Sequence, residues 1–545
     1  MRVLIFHGYL LGGTGSNVYN ARLAEALAGL GHEVHLLSQD RHAAQRPFVD
    51  AVGDWDGGDL RLTELGRKRP AGRGRCTVYR PDIGGLLPVY VQDRYEGIEA
   101  RTFARLGDEE VERYVSRNVA AVQEVAGLAD PEAALANHLV MGPAILARTL
   151  GDGVPYAVKV HGSALEYTVK PERERFLPYA REGLAGAGGI LVGSRHTALS
   201  LWETLADETV AARTRLGPPG VDVERFSPRD RSRAQAGLRE LAHGLATGAG
   251  VAGDSDHAFA RDPVATARAL GRLEPERDRL VVFVGKLIVS KGIDLLAAAW
   301  PLVLGREPRA RLVVVGFGAF REGLESLCAA LAAGRIEEAE ALARRGRELE
   351  RGAGLPAPAA VPAGAEGEAA HGAGEPQPLR HLLAFLRGLQ GDARASYLQA
   401  ARRLPERVVL TGRLEHEELA ELLPACEAMV VPSTFPEAFG MVAAEAAACG
   451  VLPVSAAHSG LAEVSEVLAR ALPPEIVPLL AFPVGDGAVA AIAQRISGWL
   501  TATEQLREQA RAGLVASARE RWSWAGVARG VLAAAHGELE GLQVP

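Results

Sequence analysis

The sequence predicts an α/β protein built from two Rossmann-like halves. Short β-branched runs alternate with Ala/Leu-rich amphipathic stretches, the pattern of βα units on a parallel sheet. These runs fall into two series along the chain. At 545 residues the chain is also long enough to bury the cores of two or three domains.

Taken in order, RVLIF (2–6), HEVHLL (32–37), YAVKV (156–160) and GILVG (189–193) read as strands of the first half. ALAGLG and the residues upstream of it read as the helix between the first two. LVVFVG (280–285), RLVVVG (311–316), RVVLTG (407–412), AMVVPS (428–433) and VLPVS (451–455) form the second series. The first three of these end in glycine, which suits a tight strand-to-loop turn. Two segments stand apart. Residues 231–279 read as helices around a mobile loop, GLATGAGVAGDSD. Residues 331–400 hold a charged helical stretch, RIEEAEALARRGRELER, followed by a Pro/Ala/Gly linker expected to be disordered. RWSWAGVARGVLAAAHGEL (521–539) reads as one amphipathic helix covering a hydrophobic surface.

A net charge of −7 and a pI of about 6.1 give no basic footprint for nucleic acid. No stretch approaches the roughly 20 uninterrupted apolar residues of a membrane span. The start runs straight into glycines without a signal peptide's charged region or cleavage site. Cys76, Cys328, Cys426 and Cys449 lie far apart with no CxxC spacing, so no zinc site or disulfide framework is indicated. The expected compartment is the cytoplasm; peripheral attachment to the inner face of a membrane stays open.

Four places carry chemistry. In VPSTFPEAFGMVAAEAAACGVLPVS (431–455), Glu437 falls in a strand-to-helix loop. Phe439, Gly440 and Met441 present backbone N–H groups where the helix starts, a ready anion site. Glu445 lies about one helical turn further in, placed to point back toward the same loop. Two carboxylates beside such N–H groups suit the hydroxyls and phosphate of a nucleotide sugar. A favourable acid near a helix start and a second acid on a wet face is the plain alternative. In FVGKLIVSKGIDLL (283–296), Lys286 and Lys291 flank a loop at the end of a strand, suited to a diphosphate; an exposed basic loop is the alternative. Lysine is otherwise scarce, at Lys68, Lys159 and Lys170 only. HGYLLGGTGSN (7–17) supplies Gly12, Gly13 and Gly15 before the first helix but departs from GxGxxG. Asp40, after the second strand, could contact a ribose or simply end the strand. His161 of YAVKVHGSALEY stands at a strand's carboxyl end, with a structural role as the competing reading. Asp54-Trp-Asp56 and Asp254-Ser-Asp256 match a metal-holding DxD but read as acidic loops. No GxSxG, HExxH or Walker A loop is present.

Together these segments resemble the family-4 retaining glycosyltransferases of the GT-B fold. PEAFGMVAAE (436–445) matches the family's Glu-x7-Glu element and ACGVLPV its continuation; GKLIVSKGIDLL matches its phosphate loop, with Lys286 where Arg is usual. KVHGS, GVDVERFSP (220–228) and GGTGSNVYNARLAEALAGLGHEV match further segments. The resemblance spans about 1–230, 280–330 and 405–535. It implies two Rossmann-like domains facing each other across a cleft: 1–215 on the acceptor side, 216–519 binding the nucleotide sugar, and 520–545 as a helix returning to the first.

The resemblance also implies roles. Lys286 and Lys291 would neutralise the donor diphosphate, so neither a metal nor another cofactor is expected. Glu445 would bind ribose and Glu437 the transferred sugar, helped by Phe439, Gly440, Met441 and Val442. His161 and the loop around Gly13 would close over sugar and acceptor. Glu437, His161 and Lys291 are the expected catalytic set. The implied activity is metal-independent, retaining hexosyl transfer from a UDP- or GDP-sugar. The expected partners are that nucleotide sugar and an acceptor of open identity (lipid, glycan or small metabolite) meeting loops near 80–115. A nucleotide-sugar binder without transfer, an epimerase-type isomerase, or a nicotinamide oxidoreductase are the competing classes.

Overall fold

The computed structural model describes residues 1–56, 58–90, 98–151, 153–248, 262–350 and 377–545. Asp254-Ser-Asp256, nearly all of the Pro/Ala/Gly linker and residues 91–97 of the expected acceptor loop lie outside them. The chain divides into two units, Met1–Gly220 with Trp522–Pro545, and Val221–Arg521.

The first unit holds β1 (Arg2–Phe6), β2 (Glu33–Leu37), β3 (Ala51–Asp56), β4 (Asp59–Glu64), β5 (Cys76–Arg80), β6 (Leu86–Val89), β7 (Glu99–Thr102), β8 (Ala133–Asn137), β9 (Tyr156–Val160), β10 (Gly189–Val192) and β11 (Thr214–Leu216). Nine of them form a sheet in the order β11-β10-β9-β8-β1-β2-β5-β3-β4, while β6 and β7 pair separately. All pairings in the large sheet are parallel except β3–β4. Side chains alternate along β1. Val3 and Ile5 pack with Leu23 and Leu27 of the helix Gly15–Gly29 and with Val531 of the helix Trp524–Ala535. Leu4 and Phe6 pack with Val115 of the helix Asp108–Ala129 and Ile145 of the helix Gly142–Leu150. Covering both faces in this way is what a parallel sheet requires.

The central strand β8, AALAN, has no β-branched residue and is passed over in the sequence; pairing with both β1 and β9 makes it a strand. Two readings change here. Asp54 and Asp56 lie in β3, not in an acidic loop, and are engaged by Arg80 at 2.8 Å and Arg61 at 3.1 Å. Residues 521–539 are not one helix. One helix ends at Trp522, and Ser523, in an extended conformation, caps the next with Oγ accepting from Gly526 N–H.

The second unit holds β12 (Arg279–Val284), β13 (Ala310–Val315), β14 (Val408–Gly412), β15 (Ala428–Val431), β16 (Leu452–Ala456) and β17 (Ala481–Phe482), parallel throughout and ordered β14-β13-β12-β15-β16-β17. That is the doubly wound order, with a reversal between β12 and β15. In such sheets the carboxyl ends of the two strands flanking the reversal leave a crevice for ligands. The segment 231–279 contributes helices Arg231–Ala246 and Pro263–Leu270, and 331–400 contributes Ile336–Arg345, Arg380–Gly388 and Gly391–Ala401.

Candidate functional site

In the second unit, the loops after β12 and β15 meet at the reversal. Lys291 ends a short 3₁₀ turn, and Gly292 after it has φ 65°. A Cβ on Gly292 would lie 1.9 Å from the Pro432 carbonyl oxygen, so only glycine lets the first loop press against the end of β15. Thr434 N–H donates to the Ser290 carbonyl at 2.9 Å, tying the two loops together.

This contact sets Lys291 Nζ on the Glu437 carboxylate, 146 residues further along the chain. Glu437 also accepts from the Ser433 hydroxyl at 2.5 Å, and its own N–H donates to Ser459 Oγ at 2.9 Å. His458 completes the cradle: Nε2 donates to the Ser433 carbonyl at 2.8 Å, and Nδ1 lies 3.0 Å from Ser459 Oγ. Gly460 N–H closes back on the Glu437 carbonyl at 3.0 Å. Burial pushes the Glu437 carboxyl up, but the Lys291 charge and hydrogen bond, with the Ser433 hydroxyl, outweigh it and hold the group below the usual glutamate range. The pair is partly open to water, with 31% and 23% of the two side chains exposed.

Around it, Lys286 is exposed at the start of the same loop. Val289 N–H, between the lysines, donates to Glu350 at 2.5 Å, so a residue of the 331–400 insertion reaches this loop. Phe439 is buried, and Gly440, at φ 120°, precedes the helix Met441–Ala448, whose first-turn N–H groups belong to Met441 and Val442. Glu445 is also buried and lies 3.6 Å from His416 Nε2, whose ring meets Phe226 edge-on at 4.8 Å.

In the first unit the strand order reverses between β1 and β8. Three histidines follow adjacent strands there: His7 after β1, His138 after β8 and His161 after β9. The ring centroids are 5.8 Å apart for His7–His138 and 5.0 Å for His138–His161. His7 holds the glycine loop from beneath: Nε2 donates to Leu10 O at 3.0 Å and faces Asn17 Oδ1, while Nδ1 accepts from Asn20 at 3.0 Å. Asn17 donates onward to Gly12 O at 2.7 Å, and Gly13 is left-handed at φ 89°. Asp40 is buried, accepting from Leu11 N–H and from Arg46, both at 3.1 Å, so it too anchors this loop. His161 packs edge-on against Tyr19 at 5.1 Å. Burial lowers His7 to about 4. Burial, then the neighbouring His138, Lys159 and His7, hold His161 well below its ordinary value. Buried Lys159 donates to the Gly217 carbonyl, and burial lowers it to about 7.

Lys291 and Glu437 thus come together, and His161 joins a histidine cluster. Sequence reasoning passed over Ser433, His458, Ser459, His7, Asn137 and His138. The signal that singled out His161, a polar residue just past a parallel strand, was present for each of these strand ends.

Residues 14–220 match the family described as Glycosyl transferase 4-like domain, and residues 383–472 match Glycosyl transferases group 1. An uncharacterised glycosyltransferase of Methanocaldococcus jannaschii is 25% identical over 197 residues. That alignment spans 36% of this chain and 31% of the relative's length. Among solved structures, the sucrose-phosphate synthase of Thermosynechococcus elongatus is similar at 18% identity and TM-score 0.53, covering 97% of this chain and 96% of that one. HepE of Anabaena, solved with UDP and glucose, is similar at 14% identity and TM-score 0.51, with 97% and 98% covered. The N-terminal domain of Candida albicans trehalose-6-phosphate phosphatase gives 13% identity and TM-score 0.55, with 99% and 97% covered. These structural likenesses establish the GT-B fold.

Proposed function

Because this chain belongs to the family-4 glycosyltransferases of the GT-B fold, we propose that it moves a hexosyl unit from a UDP- or GDP-sugar to an acceptor hydroxyl, with retention of configuration and without a metal. The observation that carries this reading is the Lys291–Glu437 pair at the strand reversal of the second unit, beside Lys286 and the first turn of the helix Met441–Ala448. Two ammoniums offset the charge of a departing diphosphate, the work a divalent ion performs in other sites. Lysine at 286 keeps the charge but gives up the two-pronged geometry of arginine.

As the diphosphate engages Lys291, Glu437 is released to accept hydrogen bonds from the sugar hydroxyls. Paired with Lys291, its carboxyl lies below the usual glutamate range, so it enters the reaction as an anion and an acceptor. The leaving diphosphate oxygen then takes the acceptor's proton on the same face of the sugar, so Glu437 orients the sugar and the diphosphate acts as base. Glu445 is assigned to the ribose hydroxyls; His161 and the loop at Gly13 are assigned to sugar and acceptor. The nucleotides carried by structural relatives, UDP in HepE among them, support a uridine donor.

A thermal-shift panel of UDP, GDP, ADP, dTDP and NAD tests the reading, since a ligand that binds only the folded state raises Tm. A shift with UDP or GDP that disappears in Lys291→Ala is expected. A shift with NAD alone would make the protein a redox enzyme. Binding of a UDP- or GDP-sugar with no transfer to any acceptor and no hydrolysis would make it a binding protein.

A further inference from the structure

A cavity of about 420 Å³ opens over the carboxyl ends of β2, β3 and β5, within the first unit. Small-molecule sites fall in the range of roughly 300–1,000 Å³. Gln39 and Asp40 reach the cavity from beyond β2, Asp54 and Trp55 from β3, and Arg80 and Asp82 from the end of β5. Neither His161 nor Gly13, the residues assigned above to sugar and acceptor, lines it.

Its two sides differ, because side chains alternate along β3. Trp55 packs on the core that holds Leu4 and Phe6, together with Ile83 and Ile98, and its Nε1–H donates to Glu124 at 2.8 Å. Asp54 projects to the opposite side. There Arg80, its partner in register on β5, engages it at 2.8 Å. This pair is open to water, with 46% of the Asp54 and 37% of the Arg80 side chain exposed.

Gln39 points to a ligand. It is only 7% exposed, and its Nε2 donates to the Pro81 carbonyl at 2.8 Å. A carbonyl oxygen only accepts, so the amide has one possible orientation and Oε1 is the atom left over. Among the described residues nothing donates to Oε1, on a side chain that lines the cavity. A nearly buried acceptor without a donor carries a cost that a hydrogen-bonding ligand removes.

Charge and hydrogen-bonding capacity narrow the class of that ligand. Every lining carboxylate is already paired: Asp40 with Arg46 at 3.1 Å, Asp54 with Arg80 at 2.8 Å and Asp82 with Arg117 at 3.3 Å. Arg41 is exposed and engaged as well. A phosphate or carboxylate only accepts, so it would meet Gln39 Oε1 and Asp54 as fellow acceptors. A hydroxyl donates and accepts at once, so adjacent hydroxyls can donate to Oε1 and Asp54 and accept from Arg80. A pyranose ring carries hydroxyls around its rim and C–H groups on its faces, and the latter suit an aromatic and aliphatic wall.

We propose that this cavity is a binding site for a neutral saccharide, with Gln39 Oε1, Asp54 and Arg80 taking its hydroxyls and Trp55 its C–H face. The site belongs to the first unit alone and stands whether or not the protein transfers sugar.

The proposal is tested on full-length protein carrying nitrogen-15-labelled tryptophan, the Trp55 indole signal being assigned by its loss in Trp55→Phe. Maltotriose, cellotriose, mannotriose, chitotriose and glucose 6-phosphate are titrated separately, without nucleotide. At least one neutral trisaccharide should move the Trp55 signal in a saturable way. Asp54→Asn should weaken that saccharide at least tenfold, and Arg80→Gln should do the same from the other side of the pair. Circular dichroism and Tm establish that each variant is folded; because both side chains are open to water, at least one is expected to be. A folded Asp54→Asn or Arg80→Gln that binds as the wild type does would place the saccharide elsewhere and overturn the assignment. Movement of Trp55 by glucose 6-phosphate and by no neutral saccharide would make the cavity an anion site. No movement with any of the five would leave it a water-filled cleft, and the proposal would fall.

Discussion

At the strand reversal of the first unit three clustered histidines are uncharged; at that of the second an ion pair is partly open to water. His7, His138 and His161 are held uncharged by burial. Lys291 and Glu437 form an ion pair, and Lys291 helps hold the Glu437 carboxyl below its usual range. The same position in two parallel sheets is therefore furnished for different chemistry. A neutral imidazole suits a hydroxyl, whereas an ion pair that can open suits a diphosphate leaving with its charge.

The largest expected effect comes from breaking the charged side of this contrast. Lys291→Ala should lower transfer by about 10²-fold or more, in the range for losing a donor that stabilises a departing anion. Because the pair is partly exposed, the accompanying loss of stability should be only about 1–2 kcal/mol. Initial rates and chemical denaturation, measured on one preparation, separate the two. An unchanged rate would remove Lys291 from the site.

The two units should also fail at different acidities. The pKa of His7 is about 4 when folded, against an ordinary value of 6.5. Between these values the unfolded chain binds more protons, so stability falls as pH drops from about 6.5 towards 4. His138 and His161, also lowered by burial, add to the loss in the same direction. Glu437 is depressed, so its contribution is present above the ordinary glutamate pKa and is lost only as pH falls through its folded value. Hydrogen exchange, corrected for intrinsic rates, should show peptides of β1, β8 and β9 opening at pH 5 while those of β12 and β15 remain protected. Simultaneous opening would erase the contrast.

Two smaller effects should stay within the first unit. A Cβ on Gly220 would come within 2.5 Å of the Trp524 ring, so Gly220→Ala should cost about 1–3 kcal/mol through overpacking. Ser523→Ala removes the cap of the helix Trp524–Ala535 and should cost about 1 kcal/mol. Denaturant titration gives both values, and exchange of the β12 and β15 peptides should not move in either variant.

Much of this was legible in the chain, and the remainder has physical reasons for being hidden. Strands such as RVLIF and LVVFVG announce themselves because β-branched residues suit a doubly buried parallel strand. AALAN does not, since Ala and Leu are good helix formers and only its neighbours on both sides make it a strand. CTVYR, short and polar at both ends, is recruited by β2 and β3 in the same way. The break at Ser523 was visible as a capping residue between two tryptophans, yet the unbroken amphipathic pattern around it masked the stop. At the site, the lysine loop and the Glu437 loop could each be marked from composition. Their contact depends on Gly292 meeting Pro432, a relation across the sheet that no local window contains. Asn137 and His138 were hidden for the same reason as their strand.

The most direct test of the central claim is calorimetric titration of UDP and GDP into the full-length protein and into Lys291→Ala. One of the two nucleotides should bind the wild type at least tenfold more tightly than the variant, with an affinity that weakens as salt is raised. Equal binding to both proteins, or binding of neither nucleotide, would contradict the assignment of the Lys291–Glu437 loops to the donor diphosphate.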